Sequence, residues 1–271
     1  MFWSNFLKIL DTQMATPTCY GWFHILFLVL SGLFAVYLCI CRKNDTPDQV
    51  RKWLLGVSLL VLILEVYKQI NYSFSYADGT VTYDFQWYAF PFQFCSTPMY
   101  VGVLAGLIKK GKFHDALCAY LATFAVFAGL CVMIYPGDVF IGTVGINIQT
   151  MICHGTMLPI GAYLYATGHV KLEHKSILKA IPVFAVAVVM AMTMNEIAHL
   201  SGLLERETFN MFYFSPYCDP SLPVYSIVQG IIPYPWSLII YIAGFSAAAY
   251  IMLLGAMGIS KLGRKTQKAT V

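Results

Sequence analysis

Seven apolar stretches alternate with polar links along this chain. They run roughly over 20–41, 53–72, 87–108, 113–134, 146–167, 176–199 and 231–258. A helix needs about 20 residues to cross a hydrocarbon core, and each stretch reaches or approaches that length. The pattern predicts an all-α polytopic membrane protein: one domain, 1–271, of seven transmembrane helices. The first stretch reads as a retained span. It lacks a basic n-region and a clear small-x-small cleavage site, and its apolar run is too long for a signal. Residues 1–19 read as an interfacial segment, because MFWSNFLKILDT is amphipathic and Trp3 and Phe6 suit the membrane surface. Residues 259–271 read as a basic cytoplasmic tail.

The polar links carry their charge unevenly. Arg42, Lys43, Arg51 and Lys52 lie in or beside the first link, and Lys109, Lys110 and Lys112 in or beside the third. Lys171, Lys175 and Lys179 mark the fifth, and Lys261, Arg264, Lys265 and Lys268 the tail. The second and fourth links have no Lys or Arg, the long sixth has only Arg206, and the N-terminal segment only Lys8. By the positive-inside rule the N-terminus is expected outside and the C-terminus in the cytoplasm. SYADGTVTYDF, in the second link, has the composition of a hairpin turning at Asp78-Gly79.

Composition agrees with the pattern. Hydrophobic residues make up 59% of the chain and charged ones 11%, against about 25% charged in globular domains. Mean hydropathy is +0.68. The net charge of +4 lies in clusters flanking apolar runs, which is a topology signal and excludes nucleic acid as the expected partner. Six of the eight cysteines fall in spans, where thiols pack as small apolar groups. Cys19 and Cys218 are the candidates for a disulfide on the outer side. No CxxC or HExxH spacing appears, and no metal or other cofactor is expected. Oligomeric state is left open.

Span direction converts sequence position into depth, at 1.5 Å per helical residue. Cys95 lies about eight residues inside span 3, roughly 12 Å, and His154 about the same distance inside span 5. Glu65 lies about seven residues before the outer end of span 2, with Lys68 one turn shallower. Asn195, Glu196 and His199 occupy the last turns of span 6, Tyr234 and Trp236 open span 7, and Gln93 and Gln149 join from spans 3 and 5. Together they predict one polar pocket in the outer half of the bilayer. The inner halves of the spans hold almost no ionisable group, which argues against a proton or ion relay.

Each residue also has a plainer role. Glu65 and Lys68 are three apart and can neutralise each other. Cys95 alone is an ordinary buried thiol, and His154 alone a helix–helix hydrogen-bonding residue. Asn195 and Glu196 suit an interface, and Tyr234 and Trp236 an aromatic belt. Pro91, Pro98 and Pro159 kink helices. Cys and His at matched depth with carboxylates near are nevertheless the parts of an activated nucleophile: a thiolate that attacks, an imidazole that takes its proton, an acid that orients the imidazole.

Several short motifs follow in order: FPFQFC at 90–95, YPGD at 135–138, ICHG at 152–155, NEIAH at 195–199, NMFYFSPY at 210–217 and PYPWSLIIY at 233–241. The series resembles the YwaF-type integral membrane proteins of bacteria. It is also similar, more distantly, to their animal relatives, the transmembrane phospholipid acyltransferases. The resemblance implies seven helices, with Cys95 as acyl acceptor and His154 as its base. It also implies transfer of a fatty acyl group through a cysteine thioester, with membrane phospholipid or lysophospholipid as partner, in a bacterial plasma membrane. The chain departs from the family pattern at Gln93, where the family has His, and at Met211, which follows Asn210 where the family has Tyr.

The leading expectation is thus a lipid acyltransferase or acyl-hydrolase. Cys95 and His154 would be catalytic, and Glu65, Lys68, Gln93, Asn195, Glu196, Tyr234 and Trp236 would bind or orient. Lys68 is placed to hold a phosphate, and Gln93 and Asn195 are the candidate oxyanion donors. The alternative is a non-catalytic protein that binds or transports an amphipathic solute or lipid in the same pocket.

Overall fold

Five of the seven apolar stretches fold into helical runs long and apolar enough to cross a membrane: Trp22–Cys41, Pro47–Ser73, Lys112–Ile134, Lys175–Leu200 and Trp236–Lys261. The computed structural model describes residues 2–77, 80–219 and 222–269. Its helices are α1 (Phe2–Leu10), α2 (Trp22–Cys41), α3 (Pro47–Ser73), α4 (Thr97–Leu107), α5 (Lys112–Ala122), α6 (Phe124–Ile134), α7 (Val144–Gly155), α8 (Met157–Ala166), α9 (Lys175–Leu200), α10 (Pro223–Ile231) and α11 (Trp236–Ala269). Strands β1 (Phe74–Ala77) and β2 (Thr80–Tyr83) pair antiparallel, Phe74 opposite Tyr83. The expected Asp78-Gly79 turn lies outside the described residues, as do the side chains of Trp3, Arg264, Lys265 and Lys268.

Of the five, Lys112–Ile134 breaks between α5 and α6 at Thr123 without a proline; the other two stretches are interrupted, and proline explains both. In 87–108, Pro91 and Pro98 remove backbone donors and push the residues before them away from helix. Short 3₁₀ turns occupy Trp87–Ala89 and Phe94–Ser96, and α-helix starts only at Thr97. The Thr97 hydroxyl donates to Phe94 O at 2.8 Å, the carbonyl Pro98 leaves unpaired, and Tyr100 Oη donates to Pro91 O at 2.8 Å. In 146–167, α7 and α8 meet at Thr156. Pro159 cannot donate to the Gly155 carbonyl. Ser31 Oγ, from α2, supplies that bond at 2.6 Å. Irregular backbone at membrane depth is tolerated where neighbouring helices satisfy it in this way.

Close crossings hold the bundle. A methyl group built on Gly106 of α4 would lie 2.8 Å from Leu55 N and 2.9 Å from Leu55 Cα of α3, and one on Gly102 would strike Ser58. Gly102 and Gly106 thus form a GxxxG face that brings the two backbones together. Helix α3 starts with a capping box at Thr46 and Gln49, and Arg51 caps the far end of α4 by donating to Gly106 O and Leu107 O. The core centres on Phe94, Tyr120, Phe124, Phe184 and Phe212.

One end of the bundle gathers α1, the hairpin and the 201–235 link. Tyr67 and Asn71 of α3 both donate to Leu10 O, and backbone bonds join residues 12–14 to 142–144. The opposite end gathers the short links, where Tyr163 Oη donates to Asp45 at 2.6 Å and His174 Nδ1 lies 2.7 Å from Tyr250 Oη. All eight cysteines are free, so Cys19 and Cys218 form no disulfide.

Candidate functional site

A buried carboxylate organises the polar cluster. Glu65 lies on the inward face of α3 and is 4% exposed. Lys68 Nζ lies 2.7 Å from its Oε1, and Gln69 Nε2 donates to the same oxygen at 2.9 Å. Gln149 of α7 donates to Oε2 at 3.0 Å. Both oxygens are thus occupied, while two of the three ammonium N–H groups of Lys68 have no partner among the described residues. The charge of Lys68 acts on Cys95, Cys153 and His154, and that of Glu65 on Cys95 and Cys153.

Cys95 sits in the 3₁₀ turn just ahead of α4, partly buried. Cys153, next to His154 in α7, directs its sulfur at Cys95 O at 3.9 Å, so the α7 segment that carries His154 abuts the Cys95 turn. The start of α4 at Thr97 directs the positive end of a helix dipole toward the same turn.

His154 is buried, and its Nδ1 lies 2.7 Å from the Thr150 carbonyl one turn back. A carbonyl only accepts, so Nδ1 carries the proton and Nε2 keeps its lone pair. That Nε2 is buried and has no hydrogen-bond partner among the described residues. The imidazole is therefore oriented by a backbone carbonyl; Glu65 is engaged elsewhere. No hydrogen bond links Cys95 to His154 among the described residues.

The two amides serve the 210–215 segment, which dips from the 201–235 link into the core and buries Met211, Phe212 and Phe214. Gln93 donates to Asn210 O at 3.0 Å and accepts from Phe212 N at 2.8 Å. Asn195 holds Met211 by both backbone groups. Asn210 Oδ1 accepts from Ser215 N at 2.9 Å. Phe212 and Tyr213, at φ of 60° and 58°, occupy the left-handed region that non-glycine residues avoid. Gln93, two residues before Cys95, thus ties the clamped segment to the Cys95 turn.

Glu196, Tyr234 and Trp236 are set apart. Glu196 accepts from Tyr217 Oη at 2.7 Å, and this bond raises the tyrosine's pKa above its ordinary value. Glu196, Tyr217 and Tyr234 line a groove of about 340 Å³ on the outside of α9. Tyr217 also stacks on His199, ring centroids 3.6 Å apart. Trp236 is exposed at the start of α11. Thr150 was not singled out from sequence, and Asn210, Tyr213 and Tyr217 entered only as part of the 210–217 motif, with no role assigned. Only Thr150 carried a local signal, four residues before His154 on one helix face.

A family model described as the TMEM164 family matches residues 19–254 of the chain. No curated protein and no solved structure matches it.

Proposed function

We propose, from the premise that this chain belongs to the TMEM164 family, that this multi-pass membrane protein is a lipid acyltransferase or acyl-hydrolase working through a thioester on Cys95. Seven crossings complete the membrane domain. The proline-interrupted stretches 87–108 and 146–167 supply the two beyond the five long helical runs, and the basic links face the cytoplasm. One observation carries the chemical reading: the buried, unpartnered Nε2 of His154, with its proton fixed on Nδ1. Leaving a buried polar atom unpaired costs about 1–3 kcal/mol. An atom that gains a partner only when substrate or a rotated thiol arrives suits a general base.

His154 Nε2 takes the Cys95 thiol proton, and the thiolate attacks the carbonyl carbon of a phospholipid ester. The carbon–oxygen bond to the glycerol breaks, and His154 returns the proton to the departing alkoxide. A lysolipid leaves and the acyl group remains on sulfur. The hydroxyl of a second lysolipid, or water, then attacks the thioester while His154 accepts its proton, and Cys95 is regenerated. Lys68 and the α4 amino end support the thiolate, and the two free N–H groups of Lys68 suit a phosphate. Glu65 holds Lys68 in place. Gln93 and Asn195 fix the segment tied to the Cys95 turn.

The test is acyl exchange between a labelled phospholipid and an unlabelled lysophospholipid in proteoliposomes. Cys95→Ala is expected to abolish exchange and hydrolysis, and His154→Gln to slow them on the order of 10²–10⁴-fold. Lipid retained with no turnover in the wild type would replace catalysis with the binding or transport alternative.

A further inference from the structure

A groove between α2 and α3 plays no part in the proposed chemistry. These consecutive helices are joined only by Arg42–Thr46; their backbones stay apart, and Trp53 of α3 bridges them through ring contacts with Phe34 and Tyr37 of α2, centroids 6.1 Å apart in each case. Helix α2 packs on α8 and α7, and α3 on α4 and α7. They diverge around a groove of about 550 Å³ at the end where the basic links gather. Its floor and sides are apolar: Phe34, Val57 and Leu60. Gly56 lies on the wall, and a methyl group built there would meet nothing within 4 Å.

The rim is built differently. Lys52 is exposed and forms no ion pair among the described residues. Arg42 lies 5.9 Å from the centre of the Trp53 ring and forks onto Asp45, one N–H to each carboxylate oxygen at 3.1 Å, while Tyr163 donates to Oδ2 as well. Gln49 accepts from Thr46 N with its carbonyl, which leaves its amide N–H groups to face outward. An aliphatic slot open along two helices, closed at one end by a lysine, an arginine and a tryptophan, complements one kind of molecule. Its acyl chain would lie on Val57 and Leu60, and its phosphate would meet Lys52 and Arg42.

We propose that the α2–α3 groove is a binding site for an anionic phospholipid of the leaflet on the basic side of the protein, separate from the Cys95 cluster. Basic pockets between transmembrane helices on that side hold anionic headgroups by this combination of charge and apolar contact. The bound lipid fills the wedge that the short Arg42–Thr46 link leaves open. It thereby steadies α2, whose Ser31 bonds the kinked α7–α8 junction.

The test uses the full chain in detergent micelles, titrated with phosphatidylglycerol, with phosphatidylcholine or with inorganic phosphate, reading the thermal unfolding midpoint. Phosphatidylglycerol is expected to raise the midpoint at lower concentration than phosphatidylcholine, and inorganic phosphate to leave it unchanged. Lys52→Gln is expected to raise the half-saturating phosphatidylglycerol concentration about five-fold, with Lys52→Arg restoring it. Gly56→Leu, which fills the slot from an open wall, is expected to weaken the response to phosphatidylglycerol without lowering the midpoint of the lipid-free protein. Equal responses to the two lipids, a response to phosphate alone, or an unchanged titration in both Lys52→Gln and Gly56→Leu would overturn the proposal.

Discussion

Asn195 grips Met211 from both sides of its peptide backbone: Oδ1 accepts from Met211 N at 2.7 Å, and Nδ2 donates to Met211 O at 3.0 Å. The two residues lie on either side of the α9 terminus, and the amide pins the short turn at Met211–Tyr213 into the core. Gln93 grips the neighbouring Asn210 and Phe212 in the same fashion from the Cys95 side. Two side-chain amides thus hold a segment whose Phe212 and Tyr213 both adopt positive φ. Strained backbone of this kind persists only where its surroundings over-determine it, and each such residue costs about 1–3 kcal/mol.

Replacing Asn195 by Leu leaves two buried backbone groups of Met211 unpaired. A loss of roughly 2–6 kcal/mol is expected, from about 1–3 per orphaned group. The thermal midpoint of the purified protein falls accordingly, and protease cutting at 209–215 accelerates. An unchanged midpoint and cutting pattern would show that the amide clamp holds nothing.

Much of this architecture was legible beforehand, for identifiable reasons. The five long helical runs follow from apolar length alone, since a run such as WFHILFLVLSGLFAVYLCIC has no other stable home. The apolar count for 87–108 reached span length but carried no information about continuity; that was encoded in Pro91 and Pro98, whose effect depends on what pairs with the freed carbonyls. The Glu65–Lys68 pair follows from three-residue spacing. The role of Thr150 as the partner of His154 was equally local. The 210–215 segment was opaque, because its burial depends on Gln93, 117 residues before Asn210, and no pattern within NMFYF announces a return into the core. The GxxxG of α4 was present in GVLAG and acquires meaning only from α3 opposite it.

That crossing yields a second expectation. Gly106→Ala places a methyl group against Leu55 backbone, which has no rotamer with which to yield. Overpacking of this order costs about 1–3 kcal/mol. Gly32→Ala and Gly244→Ala, where a methyl group meets nothing within 4 Å, serve as controls and are expected to leave the midpoint unchanged. A Gly106→Ala protein as stable as those controls would contradict the close α3–α4 approach.

Removing one member of the buried ion pair is expected to cost more than removing both. Lys68→Met leaves Glu65 charged with only the Gln69 and Gln149 amides for company. A single break of a buried pair costs about 3–5 kcal/mol, whereas paired apolar replacement is often neutral. The Glu65→Leu, Lys68→Met double variant is therefore expected to unfold at a higher temperature than Lys68→Met alone. Additive losses would mean the two charges do not depend on each other.

A pH effect is expected at the opposite end of the bundle. Burial lowers the pKa of His169 from its ordinary 6.5, reinforced by His114 and Lys110. Between the folded and unfolded values the unfolded chain binds the extra proton, so protonation favours unfolding. The contribution of His169 is complete above about pH 6.5 and is lost as pH falls through the lower folded value. Midpoints measured from pH 7.5 to 5 are expected to drop less in His169→Gln than in the wild type. Identical pH profiles would remove His169 from the acid response.

The central claim is that Cys95 carries an acyl group during turnover, and mass spectrometry of the Cys95 peptide tests it most directly. The wild-type protein is incubated with phospholipid vesicles, quenched in acid and digested. The account predicts a peptide heavier by one fatty acyl group, returned to its free mass by neutral hydroxylamine, and absent from the other seven cysteines. A protein that turns over phospholipid with Cys95 unmodified, or that keeps full activity as Cys95→Ala, would contradict it.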